Sequence, residues 1–422
     1  MPEPERTTSY PSEPANRATV LSVMRGIALP VYLPSFFSAI AQNAMQIMLP
    51  LYALEIGGGP ALAATVVGLR GAGTMLMDVP AGMLVTRIGD RGVMILGLVT
   101  ATVATFMSAV ATEVTLLSFA ALGFGAGAGI WVLGRVTFIT DTVRLDQRGR
   151  VISLMAGLQR AGAFVGPVIA GVGADLIGYR AVFVGAGILW AISLVIVMIF
   201  ASSARPAEGL ERSRLAHIVS AHKRTFATAG SVMVVLMFLR TGVRLMIPLV
   251  GAEMGFSAAE IGLAYSLSSA VDMVMFYPAG MIIDLAGRRW ALGPAMLLLG
   301  IGVALLPFAG SFWAFTAAGL LAGLGNGFGT GIFMTLGGDL SPAQGRGEFL
   351  GVWRLVGDAG AAVGPFIMGP LAQWTSMAIA CTSTGGMALV GICLLIVFVP
   401  ETLRRPTAIT LASHEERQGR ER

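Results

Sequence analysis

Long apolar runs separated by short polar stretches dominate the sequence. A helix needs about 20 mostly apolar residues to cross the hydrocarbon core of a membrane. Twelve such runs are found, numbered here as spans 1 to 12: about 28–53, 62–85, 92–111, 114–138, 151–177, 180–201, 229–250, 258–283, 289–309, 312–337, 347–373 and 376–399. The pattern predicts an all-α integral membrane protein with 12 transmembrane helices.

The composition agrees with a membrane protein. Of the 422 residues, 55% are hydrophobic and 12% are charged, whereas a soluble domain carries about a quarter charged residues. The formal net charge of +5 is spread between the apolar runs, so we expect no nucleic-acid partner. The two cysteines and three histidines show no metal-ligand spacing, and we expect no metal or other cofactor.

Arginine residues mark one side of the predicted membrane protein. The segments that follow even-numbered spans hold nearly all of them, whereas the segments that follow odd-numbered spans hold essentially Arg180 alone. By the positive-inside rule, both termini are expected in the cytoplasm and the protein in the plasma (inner) membrane. Residues 1–26 read as a polar tail without the pattern of a cleaved signal peptide.

The second half of the sequence repeats the first at a constant offset of 198 residues. Leu49-Pro50-Leu51 returns as Ile247-Pro248-Leu249, and Gly162, Gly166 and Pro167 return as Gly360, Gly364 and Pro365. Such a repeat predicts two pseudo-symmetric six-helix bundles. The expected organisation is a tail at 1–26, bundles at 27–201 and 229–400, a cytoplasmic linker at 202–228 and a tail at 401–422. Glycine series in spans 4 and 10, at 123–129 and 323–329, predict close helix packing.

Two repeated loops carry a family resemblance. The segments after spans 2 and 8 resemble the signature loop of the major facilitator superfamily (MFS) through Gly82, Arg87, Gly89 and Arg91 and through Gly280, Asp284, Gly287, Arg288 and Arg289. The resemblance covers nearly the whole chain and implies the MFS fold of a transporter. These residues are expected to form a gating latch that holds the outward-facing state, with arginines pairing with Asp284 and helix-end carbonyls. The alternative is that the arginines simply anchor the helix ends in the cytoplasm.

A second motif lies in span 5. Gly162, Gly166, Pro167 and Gly171 resemble the motif of the family's antiporters, which are mostly exporters, although importers also contain such small-residue helices. Three positions depart from the usual proton-coupled cation exporter. Thr86 stands where an acid is usual, span 4 lacks an arginine near Ala121, and span 1 has no carboxylate.

Charged residues inside the spans are the most informative candidates for function. An arginine at the centre of a bilayer costs about 2.5–3.5 kcal/mol on insertion scales, so these side chains must meet one another or a watery cavity. The set is Arg70, Asp78, Arg135, Arg160, Arg240, Arg244, Asp272, Arg354 and Asp358. Arg135 lies near a span end, where it is expected to reach the interface. Asp78 is a candidate brace beside the signature loop.

The repeat suggests partners for these charges. In the MFS fold, span 5 lies against span 8 and span 11 against span 2, which suggests ion pairs Arg160–Asp272 and Arg70–Asp358. Arg354 lies one turn from Asp358 and competes for it. Protonation of the carboxylates would help such pairs to break as the bundles rock. The alternative is a pair of static braces.

A substrate site is expected between the bundles. Arg240 and Arg244 lie one turn apart in span 7, Gln46 is the repeat-equivalent of Arg244, and Asn43 and Arg160 complete the predicted set. The excess of arginine over acid favours an anionic or zwitterionic solute. The leading hypothesis is a monomeric proton-coupled exporter of a small organic solute that uses no ATP. Alternatives are a proton-symport importer of an organic anion and a transport-dead sensor or assembly protein; an enzyme is not expected.

Overall fold

The structure is a computed structural model, and it describes residues 28–143, 145–201, 212–329, 331–342, 344–399 and 401. Secondary structure in these residues is helical. The α-helices are Leu33–Glu55, Pro60–Val110, Val114–Thr142, Leu145–Ile177, Tyr179–Phe200, Arg212–Ala221, Lys223–Glu253, Ala258–Leu285, Arg288–Leu305, Phe312–Gly329, Ile332–Leu340, Arg346–Trp374 and Met377–Phe398, with a π-helical turn at Ala28–Tyr32 and a 3₁₀ turn at Leu306–Phe308.

These helices form the twelve predicted spans. Pro60–Val110 contains spans 2 and 3, which meet at Gly89 without a loop because glycine adopts φ 74° there. Span 10 consists of Phe312–Gly329 and Ile332–Leu340. Ten helices in the described residues are long and apolar enough to cross a membrane, Pro60–Val110 counting once. Leu33–Glu55 is not among the ten; its two glutamines and one asparagine make span 1 less apolar.

The twofold repeat is visible in the packing. A Cβ at Gly125 in span 4 would collide with the backbone of Arg70 in span 2, and a Cβ at the equivalent Gly323 would collide with Ser268, the equivalent of Arg70. The backbones therefore approach as closely in one bundle as in the other. The predicted packing role of the glycine series is confirmed, and the architecture is two pseudo-symmetric six-helix bundles.

The two ends of the molecule differ. We call the end that carries the signature loops the arginine-rich face and the opposite end the arginine-poor face. At the arginine-poor face the bundles touch, since Gly171 of span 5 packs on Ala258 of span 8 and Gly369 of span 11 packs on Ala64 of span 2. Toward the arginine-rich face, added Cβ atoms at Gly157, Gly280 and Gly351 would meet no atom within 4 Å. A cleft between the bundles therefore opens at the arginine-rich face.

Two hydrogen-bonded helix starts seal the arginine-poor face. Asp175 at the end of span 5 accepts bonds from the backbone N–H groups of Ala258 (3.1 Å) and Ala259 (3.0 Å), which begin span 8. Gln373 at the end of span 11 accepts a bond from the N–H of Ala61 (3.1 Å), which begins span 2. Asp175 and Gln373 are repeat-equivalent, as are Ala259 and Ala61. Each bundle thus caps a helix of the other, because the first N–H groups of a helix lack partners within it.

The predicted linker is partly helical. The structure does not describe residues 1–27, which include the predicted tail at 1–26, or residues 202–211. The rest of the predicted linker at 202–228 forms the helix Arg212–Ala221 and the first turns of Lys223–Glu253. After the last span of the C-terminal bundle, the Glu401 carboxylate accepts hydrogen bonds from the N–H groups of Arg288 (2.9 Å) and Arg289 (3.1 Å). The start of the predicted C-terminal tail therefore caps the first turn of span 9.

Candidate functional site: a charged cleft between the bundles

A small polar pocket lies in the cleft wall formed by the C-terminal bundle. Spans 7, 8 and 10 supply its lining: Arg240, Val243, Arg244, Tyr265, Ser268, Ser269, Asp272, Gly323 and Asn326. The pocket combines two guanidinium groups, one carboxylate and neutral hydrogen-bonding groups, which suits a small, charged organic molecule.

The two pocket arginines differ in how they are held. The Arg240 Nε donates to the Asn326 side-chain oxygen (2.5 Å), and its Nη2 donates to the Asn326 backbone carbonyl (3.4 Å), which fixes the side chain. Arg244, one turn further along span 7, is exposed in the cleft. It lies close enough to Arg70 of the N-terminal bundle for the two positive charges to repel each other. A solute anion between these two groups would relieve that repulsion.

The predicted polar residues of span 1 lie beside this pocket but do not line it. Gln46 accepts a short hydrogen bond from Arg70 Nη1, and Arg70 also lies over the Phe124 ring, 5.6 Å from its centroid. Asn43 donates to the Ala39 carbonyl of its own helix (2.8 Å) and packs on span 5 at Gly166. Gln46 thus orients an arginine and Asn43 packs between helices, while the direct contact of these residues with a solute stays a prediction.

The hypothesised Arg160–Asp272 ion pair is present between the bundles. Arg160 Nη1 lies 3.3 Å from Asp272 Oδ2, and the two side chains are 16% and 19% exposed. The Arg160 guanidinium also lies over the Phe276 ring, 4.3 Å from its centroid. Asp272 lines the pocket, so this pair connects span 5 directly to the candidate solute site. Its part in proton coupling stays a prediction.

The prediction of an Arg70–Asp358 ion pair is wrong. Arg70 bonds to Gln46 instead, and Asp358 Oδ2 lies 3.4 Å from Arg354 Nε. The reason is helix register. Gly71 packs on Ala362, so Arg70 lies level with residues beyond Asp358 on the antiparallel span 11, and at 1.5 Å per residue the offset exceeds one turn.

The same register brings Asp78 into the cluster that was expected to contain only Asp358 and Arg354. Arg354 Nη2 lies 3.9 Å from Asp78 Oδ1 and Arg354 Nε lies 3.4 Å from Asp358 Oδ2, so one guanidinium group connects the two acids. The sequence pattern alone suggests no more for Asp78 than a brace beside the signature loop. Its position two turns beyond Arg70, on a helix facing span 11, is the signal that points to this contact.

Arg135 corrects another expectation. Instead of reaching the interface, it is 2% exposed, inside the N-terminal bundle. Its guanidinium lies 5.4 Å from the Trp131 ring centroid. With its oxygen turned toward Arg135, the Gln159 amide accepts bonds from both Nη atoms at 2.8 and 3.0 Å. A neutral amide and an aromatic face therefore replace the water that a snorkelling side chain would reach.

The first signature loop makes contacts within its own bundle. Arg91 Nη2 donates to the Met198 carbonyl at the end of span 6 (2.7 Å), and the Arg91 N–H donates to the Asp90 carboxylate (2.6 Å). Arg87 is exposed, and Gly82 has only Leu133 of the same bundle within 4 Å of an added Cβ. A latch to the other bundle is not formed by these described residues in the present conformation.

The second signature loop pairs differently from the prediction. Arg288 Nε lies 2.9 Å from Asp339 Oδ2 at the end of span 10, while Asp284 is exposed and makes no ion pair with another described residue. The reason is the helix break at Gly287 (φ 112°), after which Arg288 turns back to the Ile283 carbonyl (3.0 Å). The Arg288–Asp284 pairing is therefore corrected to Arg288–Asp339.

Two further gating residues are placed by the same helix break. Arg289 Nη2 donates to the Ile396 carbonyl of span 12 (2.8 Å), the arrangement that Arg91 makes with span 6. Gly280 has no atom within 4 Å of an added Cβ. The helix-end carbonyl contacts that were expected of the arginines are thus present, within the bundles rather than between them.

The antiporter-like motif of span 5 packs against two helices. Cβ atoms at Gly162 and Gly166 would collide with span 1 at Ala39 and Ile40, while Gly171 and Pro167 meet the start of span 8 at Ala258 and Gly262. The motif therefore packs span 5 closely against span 1 of its own bundle and against span 8 of the C-terminal bundle. No charged or hydrogen-bonding group of the motif enters the pocket lining.

Twelve spans in two related bundles around a charged cleft define the class of a membrane transporter, and sequence comparison gives the family. The chain matches the Major Facilitator Superfamily profile over residues 31–239 and 229–418. It belongs to the Major Facilitator Superfamily.

Individual relatives are distant. "Multidrug resistance protein MdtH" of Salmonella arizonae is 22% identical over 317 residues, which cover 74% of this chain and 77% of the relative. "Organic cation transporter 1" of Caenorhabditis elegans is 26% identical over 156 residues, which cover 36% of this chain and 26% of the relative.

Solved structures agree on the fold. A POT family transporter in complex with a thioalcohol-conjugated peptide superposes with a TM-score of 0.77 at 14% identity, covering 90% of this chain and 97% of the other. A POT family transporter in complex with 5-aminolevulinic acid gives 0.75 at 15% identity with the same coverage. At these identities the likeness concerns the fold.

Proposed function

We propose that the protein is a proton-coupled exporter that moves a small anionic or zwitterionic organic solute by alternating access. The observation that carries this proposal is the charge of the cleft. Arg70, Arg160, Arg240 and Arg244 converge there with Asp272 as the carboxylate of the pocket lining. Because a desolvated positive excess is costly, the cleft favours a solute that brings a carboxylate or another anionic group.

The proposed orientation places the arginine-rich face in the cytoplasm of the inner membrane, in line with the positive-inside rule. The open cleft then represents an inward-facing state, ready to take solute from the cytoplasm. Export is supported by the antiporter-like motif in span 5 and by the relationship to a multidrug resistance protein. Proton-driven import of an organic anion through the same site is the second candidate, supported by the same positive cleft.

The test is transport by the purified protein in proteoliposomes with an imposed pH gradient. A panel of organic anions, zwitterions and cations of similar size is offered, and we expect transport of anions or zwitterions. A hydrogen bond to a charged group contributes about 1.5–3 kcal/mol, so Arg244→Gln should weaken solute affinity by about 10- to 100-fold. Arg224→Gln, an exposed arginine at the start of the same helix, is the matched control.

Three outcomes would contradict parts of the proposal. Transport of cations alone would contradict the solute class. Unchanged affinity in both Arg240→Gln and Arg244→Gln would contradict the site. Solute uptake in right-side-out vesicles, driven by an inward proton gradient and faster than in inverted vesicles, would replace export by import. A protein that binds no member of the panel and transports none would point to a transport-dead scaffold.

A further inference from the structure

The two bundle interfaces bring equivalent positions together. In the span 5–span 8 interface, Arg160 lies over the Phe276 ring. In the span 11–span 2 interface, the equivalent positions are Asp358, the repeat-equivalent of Arg160, and Asp78, the repeat-equivalent of Phe276, and both contact Arg354. Because Arg160 and Phe276 are neighbours in one interface, the repeat predicts that Asp358 and Asp78 are neighbours in the other. One interface joins an arginine to an aromatic ring, whereas the other joins two acids.

Arg354 is the cation that serves both acids. Its Nε lies 3.4 Å from Asp358 Oδ2 and its Nη2 lies 3.9 Å from Asp78 Oδ1. Asp78 and Asp358 are 13% and 28% exposed, and Asp78 Oδ2 is buried without a hydrogen-bond donor among the described residues. Two carboxylates that share one guanidinium group in a mostly buried site cannot both stay ionised at low cost, and a shared proton resolves the conflict.

The other charged groups of the packed helices are engaged elsewhere. On span 2 itself, Arg70 lies two turns away and bonds to Gln46. On span 4, Arg135 is turned toward Trp131 and Gln159. Arg354 is therefore the one guanidinium in contact with Asp78 and Asp358 among the described residues, so the cluster is negative when both acids are ionised and neutral with one proton. By contrast, Asp272 already has Arg160 as a partner of opposite charge.

We propose that Asp78 and Asp358 together bind the transported proton, with Arg354 as their shared counter-charge. With the proton bound, an O–H···O bond joins the N-terminal bundle to the C-terminal bundle. After its release to water, the two carboxylates repel each other across the interface. Proton occupancy thereby changes the free energy of bringing spans 2 and 11 together. The proposal rests on the proton-coupled transport proposed above and locates the proton apart from the solute pocket.

The position of the pair suits this role. Toward the arginine-poor face, spans 2 and 11 stay in contact through Gly68 and Gly71. Toward the arginine-rich face, added Cβ atoms at Gly82 and Gly351 would meet no atom of the other bundle within 4 Å. The acids thus lie where the interface begins to open, so water entering from the arginine-rich face can reach them in the present conformation.

The first test measures two kinds of transport in proteoliposomes, with the best solute of the panel. For Asp78→Asn and for Asp358→Asn, we expect transport driven by a pH gradient to fall at least about tenfold, while solute counterflow at equal pH continues. Glu113→Gln, an exposed acid in a loop, should leave both unchanged. Gradient-driven transport at the wild-type rate in either Asn variant overturns the proposal. If the wild-type protein shows counterflow but no response to the gradient, proton coupling itself fails instead.

A second measurement covers variants that lose both activities. Asp78→Glu and Asp358→Glu keep a titratable group and should restore part of the gradient response, whereas equal loss in the Glu and Asn variants contradicts a proton site. Infrared spectroscopy of the membrane-reconstituted protein supplies a readout that needs no solute. We expect one protonated-carboxyl band that disappears in each Asn variant and persists in Glu113→Gln. Its absence from the wild-type protein would also overturn the proposal.

Discussion

Asp175→Ala should shift the protein away from the conformation described here. The carboxylate of Asp175 accepts two backbone bonds that join span 5 to the start of span 8, and these bonds exist only while the bundles touch at the arginine-poor face. Removing them leaves the packing of each bundle intact. The substitution therefore acts on the equilibrium between the two access states more than on folding.

The expected magnitude follows from helix capping. Loss of an N-cap acceptor costs about 0.5–2 kcal/mol, and a carboxylate at a helix N-terminus adds about 0.3–1 kcal/mol through the helix dipole. Because Asp175 is exposed, a total near 1 kcal/mol is appropriate, which corresponds to about a fivefold increase in the population open at the arginine-poor face. Gln373→Ala removes one neutral bond and should give about a twofold increase.

Spin-label distances across the arginine-poor face would measure this change. Glu55 and Glu253 are exposed, repeat-equivalent helix ends on opposite bundles. In a protein whose two native cysteines are replaced, spin labels on Glu55→Cys and Glu253→Cys report the distance between the bundles at this face. We expect a longer-distance population that grows from wild type to Gln373→Ala to Asp175→Ala. A distance distribution in Asp175→Ala identical to that of the control variant Glu113→Ala would contradict this role of Asp175.

Three further predictions concern the ion pair between the bundles, the helix packing and the helix break at Gly287. Arg160→Gln and Asp272→Asn should each lower the thermal unfolding midpoint because each removes the 3.3 Å ion pair between the bundles, and the loss in the double variant should be smaller than the sum of the two single losses. Gly125→Val should prevent stable folding, since its Cβ meets the backbone of span 2, whereas Gly185→Val at an open position should not; equal detergent stability of the two would contradict the packing. Gly287→Ala should cost about 1–3 kcal/mol because of the positive φ, and an unchanged unfolding midpoint would count against that strain.

The amino-acid sequence was sufficient to predict the twelve spans and the two bundles. Apolar length and the 198-residue repeat required no knowledge of contacts, because the cost of leaving polar groups in hydrocarbon acts on each span separately. The repeat also located the equivalent glycines Gly89 and Gly287, whose positive φ ends one helix and begins the next. The positive excess inside the spans likewise follows from counting arginines and acids along the chain.

Which charged side chains meet depends on how the helices pack in the folded chain. The pairing of spans 5 and 8 gave Arg160–Asp272 correctly, but Asp358 shares Arg354 with Asp78 and does not meet Arg70, because two facing helices exchange partners when their register changes by one turn. The burial of Arg135 depended in the same way on a neighbouring amide. Hydrophobic pattern fixes which face of a helix is covered, whereas the level at which two helices touch depends on small-residue contacts from both of them, and these exist only in the folded chain.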